Sequence, residues 1–585
     1  TISLSLIYIP TNMSFESHTE NFKKWINENF SFVSNKFEIK DLRNINQGRG
    51  LIAVEDIKAG ESLFELSRDA IFNVETASIL NLNDNVHDVL LSLTQWQALI
   101  ICLAYEWYLN ENSKLLPYLN VLPLKSDDYN TLMYWNDEEL QYLKPSGVLS
   151  RIGRNSAEEM YSILVADIIP NQIKSNELAE FLTLEKFHII ASLILSYSFD
   201  VEHPEEVEND DEDVEGEEEI EREDGEEEHL EGEEHENEEE DEEHDHEHEE
   251  GNSDGEDEDE DGSDDEAEQE DPVSQDSYLK SMVPLADTLN SDTTKCNAKL
   301  KYEKTKLVMV AEKDIKKGEQ IFNIYGELPN SEILRKYGYV ELPSSKYEFA
   351  EIQTPTIKEY FQDLFEKQFK FLDPNQSNTL VDTIFELIET SEYLDENLSD
   401  DMDIGILSEK YEIYNDGEVV PEFLLLILII TSIYQSVQSD EKWFKKIVKS
   451  IERKPSTELV SFIHRTILKS HQLLEEKLLL TKSTVETIKE LIKIRIHQYP
   501  TYITDGTYKL PESYNLSDKK EMANIVLFNE VQCLKSVIDG KFPPINKEDG
   551  VARFKVIDDD KFLKNLLKRK VEETASKSKS KRQKK

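Results

Sequence analysis

"KLVMVAEKDIKKGEQIFNIYGE" spans residues 306–327. An apolar run is followed by a polar turn with one glycine, then by an apolar pair leading to Tyr325. Val, Ile and Phe on either side of a Gly turn predict two short strands. The same pattern stands about 250 residues earlier. "DIKAGESLF" (56–64) and "DIKKGEQIF" (314–322) share Asp-Ile-Lys-x-Gly-Glu ahead of a Phe, and "LIAV" or "LVMV" precedes each. One explanation is chance likeness between two turns. The other is one sheet domain in two parts, split by a long helical insertion, which also explains why strand signals vanish and return. The fold class expected is α+β.

Working outward, "ENFKKWINENF" (20–30) reads as a short amphipathic helix, and 37–80 as the first strand-rich part. Residues 81–200 read as helical, with "QWQALIICLAYEWYL" (95–109) and "LEKFHIIASLILSYSF" (184–199) apolar at helical spacing. Residues 277–345 form the second strand-rich part, 346–545 an all-α region, and 546–585 a basic tail. "FLLLILII" (423–430) falls short of the ~18–20 apolar residues of a membrane span and predicts a buried helix. The opening "TISLSLIYIP" lacks a basic flank and a small-residue cleavage site and is not read as a secretion signal. Segment 1–36 is read as an N-terminal segment with the 20–30 helix. Cys102, Cys296 and Cys533 stand far apart with no Cys-x-x-Cys pair, so neither a zinc site nor a disulfide framework is expected.

Charge is concentrated. Between 201 and 272, 45 Asp and Glu residues face Arg222 alone, and this window carries most of the net −59. Such a tract (201–276) cannot bury apolar surface and is expected to be a solvated spacer, or else an electrostatic lure for a basic protein. Its histidines, including "HDHEH" (244–248), would hold metal weakly, and no metal is expected. Lys568-Arg569-Lys570 and the cluster from Lys577 to Lys585 read as a bipartite nuclear import signal, or as a loose phosphate contact without sequence specificity.

Three stretches carry the chemistry: "NQGRGLIA" (46–53), "VPLADTLNSDTTKCNAKL" (283–300) and "NIYGELPNSEILRKYGYVE" (323–341). The last reads as strand–turn–strand with three tyrosines where Phe would satisfy a core. In this order they resemble the SET-domain protein-lysine methyltransferases, in the group of the Rubisco large-subunit enzyme. That group has a split SET domain and a helical C-terminal substrate-binding domain. The resemblance implies methyl transfer from S-adenosylmethionine to a lysine amine, with Tyr325 as the catalytic residue. It implies Gly48, Arg49, Gly50, Asn290, Ser291 and Tyr337 around the cofactor. It implies Trp135, Tyr197 and Asp200 on the lysine side, although Trp135 and Tyr197 also suit a core and Asp200 the start of the acidic tract. Many members carry His after the Asn where this chain has Ser291, so any ring stacking there is lost. The implied substrate is a basic protein, a large-subunit ribosomal protein, met in the nucleus by a monomeric enzyme and monomethylated. A histone or transcription factor is the alternative target. A non-catalytic acidic escort for basic proteins is the alternative class.

The residue types suit this reaction. A lysine amine with a solution pKa of ~10.4 must lose its proton before it attacks. A narrow apolar channel and a neighbouring sulfonium both lower that pKa. Aromatic faces wall such a channel and hold cations, and a tyrosine hydroxyl can orient the amine as Phe cannot.

Overall fold

The computed structural model describes residues 15–204, 272–395, 406–449, 451–543, 553–564 and 566. The "HDHEH" run, nearly all of the acidic tract and both basic clusters of the tail lie outside these residues.

Among the described residues, ten strands build the split-sheet region: β1 (Phe32–Val33), β2 (Phe37–Asp41), β3 (Arg49–Ala53), β4 (Ser62–Ser67), β5 (Ser198–Glu202), β6 (Tyr278–Met282), β7 (Asn290–Ser291), β8 (Ala298–Tyr302), β9 (Lys306–Ala311) and β10 (Gln320–Asn323). Two four-stranded sheets form, in the orders β1-β4-β9-β8 and β2-β3-β10-β7. Each joins strands from both sides of the insertion, so neither exists without the two parts.

The echoed turns are the seam. Ile57 and Ile315 exchange both backbone hydrogen bonds at 2.9 Å. Asp56 accepts from the Lys317 N–H at 3.0 Å, and Asp314 accepts from the Ala59 N–H at 3.1 Å. Lys58 pairs with Asp314 and Lys316 with Asp56. Gly60 N–H reaches the Ala311 carbonyl and Gly318 N–H the Ala53 carbonyl, each at 2.7 Å. The two turns are thus related by a local two-fold. Chance likeness is the wrong explanation for the repeat.

The insertion is helical. A Thr94–Gln97 capping box starts the helix Gln95–Leu109, whose residues Ala98 to Ala104 are all buried. It packs on Leu184–Tyr197 and shares one core with the sheets. The C-terminal region has its own core around the helix Pro421–Ser439. That helix is long and apolar enough to cross a membrane by length alone. Yet Phe423 to Ser432 are all buried among neighbouring helices, each large side chain contributing roughly 1.5–3 kcal/mol. A smaller cluster joins the insertion, the 334–340 segment and the helix Lys519–Ser536.

Four details depart from the sequence reading. The 323–341 stretch is not strand–turn–strand: β10 ends at Asn323 and Asn330–Tyr337 is a helix. Ile333, Leu334 and Tyr337 lie at helical spacing and Gly338 ends the helix left-handed, which is a helix stop signal. The helix expected to reach 199 ends at Tyr197, and Ser198–Glu202 becomes β5, paired antiparallel to β6. The acidic tract thus joins two neighbouring antiparallel strands, and it starts later than 201. The C-terminal region, expected to be all-α, also holds β11 (Phe349–Gln353) paired with β12 (Lys410–Tyr414). It also holds β13 (Leu479–Thr481), which pairs in parallel with β14 (Lys555–Ile557), so the chain beyond 546 returns to this region before any tail begins.

Candidate active site

The site is built where two chain segments run side by side. β7 pairs in parallel with β10, Phe322 opposite Asn290 and Asn323 opposite Ser291. Ahead of β7 the chain makes a tight turn through Leu285, whose φ of +74° is strained for a branched side chain. A single 3-10 turn, Ala286–Thr288, then delivers the Leu289 carbonyl. The Tyr325 hydroxyl donates to that carbonyl at 2.7 Å. Beyond Gly326 (φ +135°) the chain turns into the helix that carries Tyr337.

The tyrosines converge. The Tyr325 and Tyr337 rings are 4.7 Å apart, and the Tyr337 hydroxyl donates to the Tyr325 carbonyl at 3.2 Å. The Tyr339 hydroxyl lies near the Ser291 side chain. Burial holds the Tyr325 and Tyr339 hydroxyls well above the usual tyrosine range and pushes Tyr197 up to about 12. All three stay neutral at neutral pH.

Glycine beside Tyr337 has a specific cause. Gly338 has φ +77°, and a Cβ there would lie 2.7 Å from the Asn130 backbone. The Asn130 amide donates to the carbonyls of Gly338 and Leu516, so the insertion clamps the Tyr337–Tyr339 segment against the C-terminal region.

The Gly48-Arg49-Gly50 segment enters β3 beside Asn290. Asn290 donates to the Arg49 carbonyl at 3.1 Å and to Gln320 at 2.8 Å. A Cβ on Gly50 would meet those two amide side chains at 2.7 and 2.5 Å, so a larger residue there would have to displace the Asn290–Gln320 pair. Gly48 (φ +59°) has nothing within 4 Å of its Cβ position. The Arg49 guanidinium turns to the N-terminal helix, donating to Thr19 and the Val121 carbonyl and stacking on Phe15. Burial and the neighbouring Arg43 push its pKa down to about 10.

Tyr197 lies within electrostatic reach of Arg49 and Tyr325, among the tyrosines. Trp135 and Asp200 are held elsewhere. The Trp135 indole is buried in the cluster joining insertion and C-terminal region and donates to the Asn130 carbonyl at 3.0 Å. Asp200 is half-exposed on β5, paired with Lys280 at 2.7 Å.

Sequence reasoning passed over several members. Asp287 is fully buried and accepts from the Tyr118 hydroxyl at 2.5 Å. Tyr129 stacks on Tyr134 at 5.4 Å and lies near Tyr197. Asp287 stood inside the quoted "VPLADTLN" motif and its depth was the missing information. Tyr118 carries no local signal, because only tertiary folding brings it to the site.

Two four-stranded sheets assembled from both parts of the chain, with a tyrosine cluster just beyond the parallel β7–β10 pair, are the arrangement expected of a protein-lysine methyltransferase of the SET class. The SET domain family model matches residues 48–326. The chain is 35% identical over 562 residues to the ribosomal lysine N-methyltransferase 4 of Saccharomyces cerevisiae, covering 96% of this chain and 97% of that one. The chain belongs to the SET-domain protein-lysine methyltransferases. It is 28% identical to the protein of the same name from Schizosaccharomyces pombe, over 59% of this chain and 72% of that one. It is 30% identical to the Xenopus laevis N-lysine methyltransferase setd6, over 53% and 55%. Among solved structures it resembles the SET domain of LSMT bound to lysine and AdoHcy, with TM-score 0.52 and 15% identity over 91% of this chain and 92% of that one, which establishes the fold.

Proposed function

We propose that this protein transfers a methyl group from S-adenosylmethionine to one lysine of a large-subunit ribosomal protein. The observation that carries the chemistry is the Tyr325 hydroxyl fixed on the Leu289 carbonyl within a wall of neutral tyrosines. The donor set suits the cofactor: aromatic faces for a sulfonium, and an open backbone at Gly48 beside the Asn290-braced strand. Bound there, S-adenosylmethionine supplies an electrophilic methyl group. Tyr325, Tyr337 and Tyr339 exclude water and disfavour the charged form of the incoming amine. The Tyr325 hydroxyl orients the neutral amine for in-line attack.

The relative in Saccharomyces cerevisiae is named for a ribosomal substrate over nearly its whole length, which supports a ribosomal target here. The packed tyrosines support monomethylation, because they leave little room for a methylated amine to turn. The paired basic clusters at 568–570 and 577–585 support a nuclear encounter before assembly.

The test is a paired methylation assay with radiolabelled S-adenosylmethionine and ribosomal proteins from cells lacking the enzyme. Label in one band, lost with Tyr325→Phe, and a product heavier by one methyl group are expected. Cofactor binding with label only in histones would move the substrate. Absence of both binding and transfer would leave an acidic escort.

A further inference from the structure

Among the buried ionisable groups of the site, Asp287 has no part in the reaction as described. It sits on the turn after strained Leu285, two residues before the carbonyl that receives the Tyr325 hydroxyl. Its carboxyl accepts from the neighbouring Thr288 hydroxyl at 3.3 Å and from one side chain of the insertion, Tyr118, itself fully buried and stacked on Phe22 and Trp25 of the N-terminal helix. Its charge acts on Tyr197 at the end of Leu184–Tyr197 and on Tyr325 beyond β10. Asp128 and Arg49 also act on Tyr197. A carboxyl taken fully out of water beside a site needs a reason.

We propose, resting on the methyl-transfer reading, that Asp287 is a positioning residue of the site. Braced by Tyr118, it fixes the Leu289 carbonyl against Tyr325 and places a negative charge within electrostatic reach of the tyrosine wall that the cofactor's sulfonium would face. The sulfonium approaches the tyrosine wall, and in a water-poor setting one buried carboxylate favours it strongly. Burial pushes the Asp287 carboxyl up to about 7, with the Tyr118 bond acting against that rise. The charge is therefore present above that pH and lost as pH falls through it.

The test compares S-adenosylmethionine, a cation at sulfur, with S-adenosylhomocysteine, neutral at sulfur. The rest of the two ligands is alike, so the ratio of their dissociation constants isolates the charge. Calorimetry on the full chain at pH 6 and pH 8 should show wild type preferring S-adenosylmethionine more at pH 8. Asp287→Asn should lose about tenfold of that preference at pH 8 and show no pH dependence. Tyr118→Phe should shift the wild-type dependence to higher pH, since it removes the largest of the bonds that favour the carboxylate. Unchanged S-adenosylhomocysteine affinity and a single cooperative unfolding transition certify the fold of each variant. If Asp287→Asn weakens both ligands equally, or leaves the ratio and its pH dependence as in wild type, the proposal is overturned. If wild type binds neither ligand, the methyl-transfer reading itself has failed.

Discussion

At the residue scale, Tyr325 and Gly338 answer different questions. Tyr325→Phe removes one hydroxyl from the Leu289 carbonyl and leaves the ring pair with Tyr337 in place. Turnover should fall about 10²-fold, in the range for losing one aligned polar group, while cofactor affinity measured by calorimetry stays near wild type. Gly338→Ala should act on the fold instead. It forces a side chain into φ +77° and into the Asn130 backbone. Gly60 (φ +84°) is the control, because open space surrounds its Cβ position. Gly60→Ala bears only the backbone strain of ~1–2 kcal/mol, and Gly338→Ala should cost more in denaturant unfolding. The tyrosines and glycines were legible as a pattern at 323–341. The Asn130 clamp was not, since it lies some 200 residues away in sequence and nothing local marks it. Trp135 was legible as a large aromatic, but its burial beside Asn130 depends on a helix from the C-terminal region.

At the element scale, the helix Asn330–Tyr337 links the site to the rest of the molecule. Its first residue is held by Glu348, Glu341 and Asn529. Its Glu332 sits between Arg151 and Arg335, and Arg151 also reaches Glu351 on β11, every partner buried. Burial alone would raise the Glu332 carboxyl, but the two guanidiniums hold it at about 2. Arg151→Met leaves two buried carboxylates short of a partner, so unfolding free energy should drop by about 3–5 kcal/mol. The split sheet was legible from the repeated turn because both copies need the same residues to serve each other. That symmetry makes its own prediction: Asp56→Ala and Asp314→Ala should lower the melting temperature by equal amounts. The helix was misread because its apolar positions, seen in a short window, also fit a strand.

At the scale of the whole molecule, acid and base act through buried carboxyls as well as through surface charge. Burial raises Asp287 and Glu530 to about 7 and Glu348 to about 8. In the unfolded chain these groups titrate near 4. Between pH 4 and 8 the folded state therefore binds more protons than the unfolded one, and stability falls as pH rises across that window. Glu332 works the other way, but only below its ordinary range, where its stabilisation is lost as pH falls toward 2. The net charge of −59 also opposes compaction as pH rises, so a lower melting temperature at pH 8.5 than at pH 6 would not by itself identify the cause. Glu348→Gln separates the two. Its amide oxygen can still accept from the Asn330 and Ser345 N–H groups that the carboxylate now holds, and it carries no charge beside Glu530 and Glu341. The variant should match wild type at pH 5, where Glu348 is protonated in the folded protein. At pH 8.5 it should melt about 2–4 °C higher. Equal melting temperatures at both pH values would mean that Glu348 has no share in the alkaline loss of stability.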